Sequence, residues 1–394
     1  MWATPISWPD RTPESGSLVV DADLSLGQIS PYVYGSNYGP WVIVPFDLLD
    51  EAEAAGITML RFPGGEWGDR NNLQELQVDR FIKLARQMGA EPVISVRLRG
   101  GTPEQAAEMV RYVNVEQNYN LPYWSIGNEP NLYSDYTVEQ FLIEWRAIAD
   151  AMLAVDPDLK LLGPEVSQYT GGDGPGPSDA HIFLDAFLET NGDMVDVVTI
   201  HRYPLGRSMD NVYTVEDLLS TSSEWDSFIP DLHERIQRLT GRDLPVGVTE
   251  LNSDWTQITS GEATPDSYFN ALWLADVLGR LIRQRVDIVN HFVLETKDSQ
   301  GGWGILSASG VRPSYYTYQL YKMFGNELLY ADSGEANVGI YAARRGDGAL
   351  TLMVTNLDEA ATSLPLQLDG HPGGTADIYR LDQDRVEAGT VTDP

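Results

Sequence analysis

The sequence contains no cysteine. Thiol nucleophiles, disulfides and cysteine-ligated metals are therefore excluded. Cationic residues are also scarce: 26 Lys and Arg stand against 58 Asp and Glu, a formal net charge of −32. Such a surface repels DNA, RNA and anionic membranes, whose binding depends on neutralised phosphates. No basic run resembles a nucleic-acid footprint, and neutral ligands fit better than anionic ones. No stretch approaches the ~20 apolar residues needed to cross a bilayer. The five histidines are scattered, no pair has metal-ligand spacing, and the glycines form no phosphate-cradling loop. The chain is accordingly read as needing no metal and no cofactor. Met1-Trp2-Ala3-Thr4-Pro5 lacks a basic segment followed by an apolar core, so no signal peptide is read. An extracellular location is slightly favoured over a cytoplasmic one, and the oligomeric state is not legible.

The 394 residues suit a barrel of ~250 residues with an addition. Residues 1–16, rich in Pro, Ser and Thr, read as a tail, and 17–30 as an exposed strand. From Tyr32 short apolar runs alternate with longer amphipathic stretches, the pattern of a parallel sheet wrapped by helices. Eight runs read as strands: Val33–Asn37, Thr58–Phe62, Glu91–Val96, Tyr123–Gly127, Lys160–Gly163, Val195–His201, Pro245–Glu250 and Ile288–Leu294. Helices are read over Pro45–Ala55, Asp79–Met88, Pro103–Asn118, Val138–Val155, Ala180–Glu189, Trp225–Leu239 and Pro265–Arg283. Thr102-Pro103 and Thr264-Pro265 pair a cap with a first-turn proline. Beyond a last helix at Tyr315–Phe324, short alternating runs replace the helical rhythm. The expected fold is a (β/α)8 TIM barrel over 31–325, followed by an antiparallel β-sandwich over 326–394 that residues 17–30 join.

The active site of such a barrel lies at the C-terminal ends of its strands. Glu129 ends the fourth strand and Glu250 the seventh. Strands three apart face each other across the mouth, so two carboxyl groups placed there bracket a glycosidic bond. One must be protonated to help the leaving oxygen depart; the other must be ionised to attack the anomeric carbon. Arg61 would favour the ionised attacker, and contact with that charge would keep the acid protonated. Arg61 reads equally as an ion-pair partner in the barrel floor, and His201 also as a structural hydrogen-bonder.

Gly127-Asn128-Glu129-Pro130 and Thr249-Glu250 together resemble clan A of the glycoside hydrolases. Arg61-Phe62-Pro63-Gly64-Gly65 is similar to the segment after the second strand in family 51, the α-L-arabinofuranosidases, and His201-Arg202-Tyr203 resembles the sixth-strand motif of families 39 and 51. Glu66 stands where family 51 usually has Asn. The resemblance implies a retaining glycosidase with Glu129 as acid/base and Glu250 as nucleophile. It implies that Asn128 holds the 2-hydroxyl, that Tyr203 hydrogen-bonds Glu250, and that His201 lines the subsite. Asn37, Arg61, Glu66, Trp67 and Trp303 complete the substrate-contact candidates; Trp41, Trp67, Trp255 and Trp303 are the candidate sugar platforms. Glu295 reads as a partner for Lys297 or Arg61, and Asp173 and Asp179 as solvated loop residues. The implied partner is a carbohydrate, with arabinofuranosides or xylosides first. An endo-acting glycanase, a transglycosylase and an inactive carbohydrate-binding barrel are the alternatives.

Overall fold

The structure, a computed structural model, describes residues 8, 9, 11, 13–172, 179–206, 212–372, 374–382 and 385–392. Most of the expected tail lies outside these residues, as do Asp173 and most of the Gly171–Pro177 loop. The chain enters through strand β1 (Leu18–Gln28). Eight strands then close into a parallel barrel: β2 (Gly35–Asn37), β3 (Met59–Phe62), β4 (Glu91–Val96), β5 (Tyr123–Ile126), β6 (Lys160–Ser167), β7 (Val197–Arg202), β8 (Val246–Leu251) and β9 (Ile288–His291). Closure comes from β2, which pairs with β3 on one side and β9 on the other.

The connecting helices are α1 (Leu49–Ala54), α2 (Trp67–Arg70), α3 (Glu75–Gln87), α4 (Pro103–Val110), α5 (Val138–Leu153), α6 (Ala180–Asn191), α7 (Val215–Ser220), α8 (Trp225–Thr240), α9 (Tyr268–Arg283) and α10 (Pro313–Lys322). Their starts follow capping chemistry. Thr102 Oγ1 accepts from Gln105 N at 3.3 Å ahead of Pro103. Thr137 and Gln140 cap α5 reciprocally, at 3.2 and 3.0 Å. The expected start of α9 at Thr264-Pro265 is wrong. Thr264 Oγ1 is engaged by Asp266 at 2.6 Å, and Ser267 caps the helix through Asn270 N at 3.0 Å. The run expected as a strand from Val33 begins as a 3-10 turn at Pro31–Tyr34. The helix expected to reach Asn118 widens into a π turn at Arg111–Glu116.

A small hairpin, β10 (Leu306–Ser307) with β11 (Gly310–Val311), precedes α10. The remaining strands are β12 (Glu327–Ser333), β13 (Val338–Arg344), β14 (Leu350–Asn356), β15 (Leu366–Asp369), β16 (Thr375–Asp382) and β17 (Arg385–Thr392). They form a five-stranded sheet, β14-β13-β12-β1-β15, and a separate ribbon of β16 and β17. The N-terminal strand thus joins the C-terminal sheet as expected, though its pairing with β15 is parallel. Strand β12 escaped the sequence reading because it does not alternate. Leu328 and Tyr330 pack into the barrel core, while Leu329 and Ala331 pack into the sheet's own cluster with Leu18, Val20 and Ile340. A strand buried on both faces reads as a continuous apolar run.

Inside the barrel, side chains two residues apart form layers. The lower layer is apolar: Met59, Val93, Leu162, Val197 and Ile288. The buried residues two positions on are Arg61, Ser95, Pro164, Thr199 and Asn290, four of them polar, so the core turns polar toward the C-terminal ends. Two bulges sharpen this change. Pairing between β6 and β7 steps from Pro164↔Thr199 to Val166↔Ile200 and skips Glu165. Pairing between β7 and β8 steps from Ile200↔Val248 to His201↔Glu250 and skips Thr249. Strand β6, expected to stop at Gly163, therefore runs on to Ser167.

The sheet is fastened to the barrel at Asp276 of α9, which is fully buried. Its carboxylate accepts from Tyr341 Oη at 2.7 Å, Thr355 Oγ1 at 2.8 Å, Ser222 Oγ at 2.8 Å and Arg280 Nε at 2.6 Å. Gly279 makes room, since a Cβ there would lie 2.2 Å from the Tyr341 ring. Burial raises the Asp276 pKa, but Arg280 and the hydroxyl donors outweigh it and hold the carboxyl below the usual range. Its contribution is therefore present above the unfolded pKa and lost as pH falls through the folded one. Asp276→Ala should cost about 3–5 kcal/mol by leaving Arg280 Nε and the Tyr341 and Thr355 hydroxyls without their buried acceptor, read as a lowered thermal midpoint at pH 7. The difference from wild type should shrink at acid pH.

Candidate active site

The site is built where the apolar barrel layer gives way to charge. Strand β5 ends at Ile126, and the chain turns at Gly127 with φ 80°. A Cβ on Gly127 would lie 2.5 Å from Leu98 Cβ, so only glycine passes there. Glu129 follows in the left-handed region, φ 47° and ψ 52°. That conformation costs a non-glycine residue on the order of 1–3 kcal/mol and must be held by its surroundings. Two groups hold the turn: Glu165 O accepts from Glu129 N at 2.9 Å, and Asp69 Oδ2 accepts from Asn128 N at 2.9 Å. Asp69 also takes Leu98 N at 2.8 Å. Burial pushes the Asp69 carboxyl up to about 6, against these two amide bonds.

Across the mouth, Glu250 accepts three hydrogen bonds. Arg61 Nη1 (2.8 Å) and Gly65 N (2.7 Å) donate to Oε1, and Tyr203 Oη (2.8 Å) donates to Oε2. Three converging donors, one of them charged, suit a carboxylate. Arg61 is itself fully buried and also reaches Asn37 Oδ1 at 3.1 Å and Asn128 Oδ1 at 3.0 Å. Asn128 Nδ2 has no partner among the described residues and is a donor open to an incoming group beside the carboxylates. Oxygens of Glu129 and Glu250 approach within 4.8 Å of each other and of a ring nitrogen of His201. The side chain of Glu129 is 18% exposed and that of Glu250 3%, so Glu129 is the more open to an incoming group.

His201 lies between three carboxylates. Nδ1 is 3.1 Å from Glu129 Oε1 and 3.8 Å from Glu250 Oε2, and Nε2 is 2.7 Å from Glu165 Oε2. Burial alone would lower the imidazole pKa, but Glu250, Glu129 and Glu165 push it up to about 9. Burial raises Glu129, yet the hydrogen bond and charge of His201, with Ser167 and Arg61, bring it below its ordinary value. Against the expectation that the nucleophile's charge keeps Glu129 protonated, the hydrogen bond and charge of His201 draw it toward its ionised form. Glu165, absent from the sequence reading, is fully buried. It accepts from Ser125 Oγ at 2.5 Å and from Thr249 Oγ1, and it lies 3.7 Å from Arg61 Nη2. Burial raises it as well, but Arg61, His201 and Ser125 draw it down to about 2.

The other candidates fall around this centre. Both amide groups of Asn37 are engaged by protein, Nδ2 by Thr249 O at 2.9 Å and Oδ1 by Arg61, which places it behind the arginine. Glu66 is exposed and pairs with Arg70 at 2.7 Å. Trp67 and Trp41 are half-buried, and Trp255 is 57% exposed. Trp303 donates from Nε1 to Asp254 O at 2.8 Å and packs edge-on against Phe292, which in turn meets Tyr203 edge-on. Glu295 pairs with neither Lys297 nor Arg61 among the described residues; burial pushes it up to about 7. Asp179 is exposed, at the start of α6. Among the described residues, Glu129, His201 and Glu250 form the one grouping that could reach a metal ion together. A cation there would face Arg61 on Glu250, so the donor set suits proton transfer better than metal ligation.

The sequence profile described as glycosyl hydrolases family 39 matches residues 108–380, more than half of the chain. A β-xylosidase of Geobacillus stearothermophilus is 26% identical over 256 residues, 59% of this chain and 46% of that protein. A probable α-L-arabinofuranosidase C of Aspergillus clavatus is 24% identical over 256 residues, covering 48% and 50%. The chain therefore spans about half the length of these relatives. The structure of a family 51 α-L-arabinofuranosidase from Thermotoga petrophila RKU-1 superposes with a TM-score of 0.76 at 17% identity, covering 96% of both chains, which establishes a shared fold. A closed barrel with one carboxylate just after its fourth strand and another on its seventh, and a matching profile across two thirds of the chain, make this chain a member of glycosyl hydrolases family 39.

Proposed function

We propose that this protein hydrolyses O-glycosidic bonds with retention of configuration, using Glu250 as nucleophile and Glu129 as acid/base. The observation that carries this reading is the approach of the two carboxylates within 4.8 Å. Retaining sites hold their carboxyl groups ~5–5.5 Å apart, whereas inverting sites leave ~6.5–9.5 Å for a water. Oε2 of Glu250 has one neutral donor where Oε1 has two donors, so Oε2 is the freer oxygen to attack the anomeric carbon. As that bond forms, the bond to the leaving oxygen breaks and Glu129 gives it a proton. Glu129 then takes a proton from the water that displaces Glu250. Asn128 Nδ2 is the donor for the 2-hydroxyl, and Trp303 and the open Trp255 are the aromatic faces for sugar rings.

Neutral arabinofuranosides and xylosides of plant-type polysaccharides are the first substrates to test. The net charge of −32 and the activities named for the relatives both favour them. Residues 31–325 form the catalytic unit in this reading, and 17–30 with 326–394 form its accessory sheet. An endo-acting glycanase or a transglycosylase would use the same residues.

On a panel of aryl glycosides, wild type should turn over and Glu250→Gln should not. Binding without turnover on every sugar would instead favour an inactive carbohydrate-binding barrel. The first anomer formed, followed by proton NMR, should keep the substrate's configuration; the opposite anomer would refute double displacement. Glu129→Ala should slow substrates with poor leaving groups by about 10²–10⁴-fold and activated ones far less. Tyr203→Phe removes one bond to a charged oxygen, worth about 1.5–3 kcal/mol. It should lower kcat/KM roughly ten- to a hundredfold and, because the resting protein already makes this bond, lower the thermal midpoint as well.

A further inference from the structure

A glycosidase acid must carry a proton at the moment of bond cleavage, yet Glu129 is drawn toward its ionised form in the resting site. The hydrogen-bond geometry around His201 resolves this. Both oxygens of Glu165 already accept: Oε1 from Ser125 Oγ, and Oε2 from Thr249 Oγ1. Arg61 lies 3.7 Å from Oε2. Glu165 is thus held as a carboxylate, and His201 Nε2, 2.7 Å from it, must carry a hydrogen. The contact between His201 Nδ1 and Glu129 Oε1 at 3.1 Å then needs one proton, on the nitrogen or on the oxygen. With no proton, an imidazole lone pair would face a carboxylate.

We propose that the acid proton of Glu129 is shared with His201 Nδ1 and that Glu165, as a positioning residue, keeps it there. The proposal rests on the glycosidase reading for the use of that proton, but the proton's location is testable without it. In the first step the proton moves from His201 Nδ1 to Glu129 Oε1 and on to the leaving oxygen, while Glu250 takes the glycosyl group. In the second, water gives its proton to Glu129 as its oxygen displaces Glu250, and the proton returns to Nδ1. Each turnover consumes one water and restores the pair. The groups facing His201 are Glu129 from the turn after β5, Glu165 from β6 and Glu250 from β8. Arg61 of β3 pairs with Glu165 and Glu250, and Tyr203, two residues on, bonds Glu250.

The chain has only five histidines, so His201 can be followed by NMR in protein labelled with ¹⁵N-histidine and assigned through its loss in His201→Gln. In wild type the ring should stay doubly protonated through neutral pH. Glu165→Gln should lower its titration midpoint by about one pH unit or more, because it removes one of the carboxylates that favour the charged ring. The alkaline limb of kcat/KM should move to lower pH by the same amount, and Glu165→Asp should restore part of both shifts. A singly protonated ring in wild type at neutral pH would overturn the proposal. So would a Glu165→Gln variant that loses rate with limb and midpoint unmoved, as a merely structural role predicts. Should Glu165→Gln fail to fold, Glu129→Gln at the open end tests the sharing; an unchanged His201 midpoint there refutes it. Failure of wild type to turn over any glycoside would sink the glycosidase reading and leave the NMR result standing.

Discussion

A guanidinium removed from water loses its hydration and must recover it from fixed partners. Arg61 is such a group, fully buried at the top of the barrel interior. Its two terminal nitrogens reach Glu250, Asn37 and Asn128 and approach Glu165, while Nε has no partner among the described residues. Four strand ends are tied through this one side chain, because Asn37 ends β2, Asn128 follows β5, Glu165 lies on β6 and Glu250 on β8. The carboxylates hold its charge firmly, and it orients them in return. The positions of the two proposed catalytic groups thus depend on one interior cation rather than on loops at the rim.

The charges around it do not cancel. Glu129, Glu165 and Glu250 face Arg61 and His201, so a doubly protonated His201 leaves one negative charge in excess. Burial makes that excess costly in the resting protein. In the proposed reaction the excess is useful, because an oxocarbenium-like sugar would bring the missing positive charge. On that reading the site is electrostatically complete only with a substrate in its transition state.

The barrel was legible because its strands are short apolar runs between amphipathic stretches; Glu91–Val96 coincides with β4. Glu129 and Glu250 were legible because each directly follows such a run. Tyr203 bonds Glu250, as its motif implied, and Arg61 bonds it as the need for an ionised attacker suggested. Glu165 was hidden for a physical reason. Pro164 reads as a strand stop, and the bulge that skips Glu165 breaks the alternation by which an inward residue is recognised. Asp69 carried no signal of its own, since nothing local announces that a carboxylate on the short helix α2 will accept from the backbone of Asn128. Strand β12, buried on both faces, carried no periodic signal.

The insertion of β1 between β12 and β15 carries a consequence for the order of assembly. Leu18 pairs with Ser333 on one side and Leu366 on the other. During synthesis β1 leaves the ribosome long before either neighbour exists. The barrel can close meanwhile from contacts between consecutive units, but β1 must wait as an unpaired strand until β12 and then β15 appear. Its polar interruptions, Asp21, Asp23 and Ser25, lie where they hinder pairing with other chains during that wait.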